Sequence, residues 1–75
     1  MLNKVFINGR LTTDPELKST PTGKSVVNTT VACKRNGKDA KTDFIPISVW
    51  GTSAEYLHNY AKKGTLVSVC GELQT

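Results

Sequence analysis

An all-β fold of the small-barrel kind is what this sequence predicts, and three observations carry the prediction. Strand-like alternation recurs in four separate stretches, a helical period occurs once, between the third and the fourth, and glycines fall inside strands where a sheet must bend sharply. With 75 residues the chain makes one domain at most and has no room for a sizeable enclosed active site.

Lys4 to Leu11 reads as the first strand, with Val5, Ile7 and Leu11 alternating against Lys4, Phe6, Asn8 and Arg10, and with Gly9 marking a bulge or bend. Thr12 to Leu17 carries loop chemistry, since Asp14 precedes Pro15 and is disfavoured in a helix. A turn at Pro21-Thr22-Gly23 leads into a β-branched second strand, Lys24 to Arg35, with Val27, Val31 and Cys33 on one face and Asn28, Thr30 and Lys34 on the other. Asn36-Gly37 is a strong hairpin signal, extended by Lys38 to Lys41 into a basic tip.

The third strand, Thr42 to Gly51, organises the rest. Its period of two puts Ile45, Ile47 and Val49 on an aliphatic face and Phe44, Pro46, Ser48 and Trp50 on the other. Two aromatics about 20 Å apart along the strand therefore stand on the face turned to water. Pro46 has no N–H for a central ladder and marks an edge or an irregularity. After Gly51, Thr52 and Glu55 form a capping box and Ala54, Leu57, His58 and Ala61 follow a helical period; Lys62 and Lys63 complement the dipole and Gly64 ends the helix. Leu66 to Gln74 is a fourth strand with Val67, Val69 and Leu73 inward and a possible bend at Gly71. Three curved strands, a helix and another strand is the order of an OB-fold, a small Greek-key barrel.

Ten Lys+Arg against six Asp+Glu give a net charge of +4, and the distribution is uneven. No acid separates Glu16 from Asp39, while Lys18, Lys24, Lys34, Arg35 and Lys38 fall between them. A polyanion-binding surface needs such asymmetry, and exposed aromatics beside it point to base stacking. Cys33 and Cys70 belong to no metal-ligand cluster and read as small buried thiols. Asp14, Glu16 and Asp43 lack metal-loop spacing, the glycines form no phosphate-binding pattern, and no cofactor is implied. His58 has no nucleophile or carboxylate dyad around it, and Tyr56 and Tyr60, four apart, pack over the helix, so the chain does not read as an enzyme. The absence of a signal peptide, of a long apolar segment and of a lipidation motif predicts a reduced, cytoplasmic protein that does not engage a membrane.

Six segments, in order and at the right spacing, resemble the bacterial single-stranded-DNA-binding protein family. They are Asn3-Lys4-Val5-Phe6-Ile7-Asn8-Gly9-Arg10-Leu11, Asp14-Pro15-Glu16, Pro21-Thr22-Gly23-Lys24, Asp43-Phe44, Trp50-Gly51-Thr52-Ser53-Ala54-Glu55, and Lys63-Gly64-Thr65-Leu66-Val67 through Gly71-Glu72-Leu73-Gln74-Thr75. The resemblance implies a single OB-fold domain over residues 1–75, assembled as a homotetramer that coats single-stranded DNA in replication, repair and recombination. By position, Phe44 and Trp50 match two base-stacking aromatics of the family, and the basic contacts fall at Lys4, Arg10, Lys18, Lys34 and Arg35. Two departures stand out. The tip from Asn36 to Lys41 lacks an aromatic that some members carry, and the sequence stops at Thr75, before the family's fifth strand and the acidic-tipped tail that recruits replication and repair proteins. The expectation is thus an OB-fold truncated relative to the family, with an open edge that self-pairing fills. The alternatives are a primosomal or tRNA-type OB module, and an interaction or regulatory module that co-assembles with full-length relatives without binding DNA itself.

Overall fold

A computed structural model describes residues 2–37 and 41–74, so that the tip Lys38, Asp39 and Ala40 and both terminal residues lie outside the described residues. The elements are β1 (Val5–Leu11), β2 (Leu17–Ser19), β3 (Ser25–Lys34), β4 (Thr42–Trp50), α1 (Gly51–Tyr60) and β5 (Leu66–Gly71). β3 is the axis of the sheet. One of its edges carries β4 in unbroken antiparallel register from Val26↔Trp50 to Lys34↔Thr42. Its other edge carries β2 at Val26 and Val27 and then β1 at Val31 and Ala32. β5 pairs with β1 from Val5↔Gly71 to Arg10↔Leu66. β4, β5 and the short β2 are therefore each paired along one edge only among the described residues, and the sheet is open. This is an all-β, OB-type partial barrel with its one short helix between β4 and β5.

Burial follows the predicted alternation. Val27 and Val31 on the inner face of β3 are fully buried, joined by Leu11, Val26 and Ala54. Removing each valine side chain from water contributes about 1.5–3 kcal/mol. Thr29, also inward, is buried, and its hydroxyl meets that of Thr13 at 3.1 Å. Ile45, Ile47 and Val49 face the same interior but remain half-buried, as do Val67 and Val69. Between these two rows lies an apolar trough of ≈ 1080 Å³, with Leu57 of α1 and Ile7 of β1 in its walls.

Pro46 fits because β4 is paired on one edge only. Its partner Thr30 directs its carbonyl away, to the amide (3.0 Å) and hydroxyl (2.8 Å) of Thr12. Gly9 marks a close approach rather than a bulge. A Cβ there would stand 2.4 Å from the carbonyl oxygen of Ala32 and 2.6 Å from Val31 Cγ1, where β1 meets β3.

Several expectations need correction. Leu17–Ser19 forms a three-residue strand, β2, inside what reads as a loop, because three residues are too few for a periodic signal. The helix begins at Gly51 with Trp50 as N-cap and no side-chain cap, so Thr52 and Glu55 form no capping box; Thr52 already lies inside the first turn. It ends at Tyr60, before Lys62 and Lys63, and Gly64 (φ 90°) belongs instead to the turn leading into β5. Cys70 is exposed, because alternation with Val69 puts it on the outer face, and Cys33 is only half-buried. β5 stops at Gly71, so Leu73 lies beyond the ladder and is 66% exposed rather than inward.

Gly9→Ala drives a methyl into the β3 backbone and destabilises the fold by about 1–3 kcal/mol. A thermal melt within about one degree of the parent's would show that β1 can shift away from Ala32 without loss.

Candidate nucleic-acid interface

The outer face of the sheet is built by strand parity. In β4, Phe44 and Trp50 are 66% and 54% exposed, and the residues between them alternate without exception. The register then extends each ring into a row that crosses the sheet. Trp50 lies opposite Val26, which lies opposite Lys18 on β2. Phe44 lies opposite Ala32, which lies opposite Arg10 on β1. With neighbouring strands about 4.8 Å apart, the backbone position of each ring stands about 10 Å from that of a basic residue on the same face. The small residue of β3 between them keeps the channel low. Val26 is buried although it points outward, flanked by the Trp50 and Lys18 strands.

Arg10 is held in place by a bond from Nη1 to the carbonyl of Gly64 at 2.9 Å. That carbonyl is fixed by the Lys62–Thr65 turn, in which Thr65 N–H reaches Lys62 O at 3.0 Å and Asp14 accepts from Lys63 N–H at 2.8 Å. The Arg10 guanidinium keeps further N–H groups for a phosphate. Lys34 shares the parity of Ala32, and Lys4 that of Phe6, so both stand exposed on the aromatic side.

Arg35 is different. Adjacent residues of an extended strand face opposite ways, so Lys34 and Arg35 do not share a surface. Arg35 turns to the side of Asp43 and Ile45 and grips the Asp43 carboxylate with two bonds, Nε to Oδ2 at 2.7 Å and Nη2 to Oδ1 at 2.9 Å. Its amide also bonds the Lys41 carbonyl at 2.8 Å, closing the base of the hairpin. The side-chain bond from Arg35 holds the Asp43 carboxyl below the usual aspartate range, and the same bond raises the guanidinium. Of the seven sequence-predicted residues, the structure thus gathers Phe44, Trp50, Arg10, Lys18, Lys34 and Lys4 on one face and leaves Arg35 on the other.

Three features of this face are absent from the sequence-predicted set. Phe6 is 75% exposed, on the same side as Arg10. Asn28 and Ser48 form a cross-strand pair with the hydroxyl donating to Oδ1 at 2.7 Å. They line a shallow depression of ≈ 300 Å³ between the two rows, together with Thr30 and Pro46. Alternation marked Asn28 and Ser48 only as polar; pairing them requires the hairpin register. His58, by contrast, is a pin, its Nδ1 within 2.8 Å of the buried Pro15's carbonyl. Tyr56 and Tyr60 pack against each other with centroids 4.8 Å apart and ring planes tilted by 43°. Among the described residues no group of His, Cys, Asp or Glu forms a metal site, and no helix is long and apolar enough to cross a membrane.

Exposed rings, flanking cations and a shallow channel on an open OB-type sheet have the make-up of a binding surface. The chain belongs to the single-strand binding protein family, whose match covers residues 2–75. It is 49% identical to single-stranded DNA-binding protein 2 of Streptococcus agalactiae over all of this chain and 60% of that protein. It is 51% identical to single-stranded DNA-binding protein 3 of Clostridium acetobutylicum over 99% of this chain and 54% of that one. Against the single-stranded DNA-binding protein of Streptococcus mutans identity is 44%, over all of this chain and 48% of the relative. The chain thus spans about half the length of the curated relatives it matches.

Followed by carbon NMR, the Asp43 carboxyl should titrate below the usual 3.8, and Arg35→Gln should raise its midpoint. Because its folded-state pKa is lowered, whatever the pair adds to the hairpin is present above the unfolded-state pKa and is lost as pH falls through the folded one. A titration midpoint unaffected by Arg35→Gln would show that the two side chains part in solution.

Proposed function

We propose that residues 1–75 act as one OB-fold unit that binds single-stranded DNA without regard to overall sequence. The two ring–cation rows carry this reading. A ring offers every base a flat apolar partner, contributing about 1–3 kcal/mol per base, while a cation across the channel meets the phosphates and releases counterions. An extended single strand laid along β4 reaches Phe44 and Trp50 in turn, with Arg10 and Lys18 on its other side and Lys34 and Lys4 continuing the basic track. Arg35, held by Asp43 on the opposite face, steadies the hairpin rather than touching this path. DNA replication, repair and recombination in the cytoplasm are the setting we propose for it; the family and the names of the relatives support the binding of single-stranded DNA. The names give no support to a contact with replication and repair proteins through this segment.

Titrating the protein with oligothymidine should quench Trp50 fluorescence to saturation. Log affinity should fall with log salt, and Arg10→Ala or Lys18→Ala should each reduce that slope by about 0.7. Arg35→Ala should change it less than either. A Trp50 emission indifferent to saturating oligonucleotide refutes the stacking surface.

Self-association, as a homotetramer, accompanies this reading. The open edges of β4 and β5 and the half-buried aliphatic rows beside the trough favour strands of another copy as the cover, and a domain this small has little stability to spare. The same trough favours a second reading, co-assembly with longer relatives without DNA binding. Sedimentation should show an oligomer at micromolar concentration and a melting temperature that falls on dilution. A monomer whose melting temperature ignores dilution overturns self-association; native mass measurement of a mixture with a longer relative separates the two readings.

A further inference from the structure

Backbone parity decides which open edge of the sheet can take another strand. Leu11 N–H bonds the Thr65 carbonyl at 3.0 Å, in line with the β1–β5 register. Odd-numbered residues of β5 therefore hydrogen-bond β1, and the amides and carbonyls of Leu66, Ser68 and Cys70 turn to the edge that is open among the described residues. In β4 the bond from Arg35 N–H to the Lys41 carbonyl at 2.8 Å sets the same parity, so Thr42, Phe44, Pro46, Ser48 and Trp50 direct theirs outward.

The edges differ in what they offer. Pro46 has no N–H and interrupts the donor row of β4 at its centre. β2 is three residues long and carries Lys18. β5, from Leu66 to Gly71, has no charged residue and no proline, and so lacks the usual devices that keep an edge from pairing.

We propose that β5 pairs antiparallel with β5 of a second copy about a twofold axis passing through Ser68. This rests on the self-association reading and names its contact. Residues opposite each other in a ladder share a face, and a twofold axis normal to the sheet preserves that face, so only residues of equal parity meet. Centring on Ser68 uses all three outward residues of each copy: Ser68 meets its own counterpart, and Leu66 meets the partner's Cys70. Any other centre within β5 leaves at least one of the three unpaired inside the strand. On the inner face Val67 then lies opposite the partner's Val69, and the half-buried aliphatic rows of the two copies run on as one. On the outer face Leu66, 63% exposed, gains an uncharged neighbour.

Cross-linking and sedimentation test this at micromolar concentration. In a Cys33→Ser, Cys70→Ser background, Ser68→Cys should form a disulfide between copies on mild oxidation, because hydrogen-bonded opposite residues stand about 5.5 Å apart at Cα, within disulfide reach. Ser48→Cys in the same background, on the β4 edge, should not. Ser68→Lys sets two like charges face to face on the axis and should lower the sedimenting mass to about half the parent's or less. Ser48→Lys should leave it at the parent's. Both positions are exposed, and circular dichroism checks that each variant is folded. An assembly unmoved by Ser68→Lys, with Ser68→Cys chains that stay single on oxidation, overturns pairing through β5 while self-association stands. Dissociation by Ser48→Lys and not by Ser68→Lys moves the contact to β4 and overturns it as well. A parent that sediments as a monomer removes the self-association reading, and this proposal with it.

Discussion

Everything in this fold depends on β3 being hydrogen-bonded along both edges. β4 runs the whole length of one edge, while β2 and β1 share the other. Its inner side chains, Val27 and Val31, are the largest fully buried ones, and its outer ones are small enough to form a channel floor. A strand with this double duty cannot carry large residues outward without blocking the channel. Nor can it carry small ones inward without emptying the core.

The period of two divides the labour with one layer of backbone. Aliphatic residues of β4 look inward and rings look outward from alternate positions, so the surface that binds and the surface that folds are separated by a few ångströms. The cations come from other strands. Arg10 and Lys18 reach the aromatic rows only because antiparallel register aligns β1 and β2 with particular positions of β3.

Much of this was legible in the residues. The alternation of Thr42–Trp50 is enough to locate the two rings and the aliphatic face, and Pro46 marks an edge or an irregularity. What failed did so where the signal was shorter than its period or where register decided. β2 spans three residues, and the helix starts two residues earlier than a cap at Thr52 suggests because the chain passes directly from β4 into α1 at Gly51, with φ 66°. Grouping Lys34 with Arg35 followed charge in sequence, whereas strand geometry separates neighbours and brings together residues far apart, as with Arg10 and Ala32 across β1 and β3. The Asn28–Ser48 pair was hidden for the same reason, since nothing local joins residues twenty apart.

The closure at the base of the β3–β4 hairpin has a consequence for how such chains vary. Arg35 bonds the Lys41 carbonyl through its amide and Asp43 through its guanidinium, so the reading frame of both strands is set before the tip begins. One residue added or removed within Ser25–Lys34 or Thr42–Trp50 would turn the strand inside out, sending the rings into the core and the aliphatic residues into water. A length change between Arg35 and Lys41 leaves that frame intact. The tip is therefore the place where insertions can accumulate in related sequences while the aromatic face stays the same.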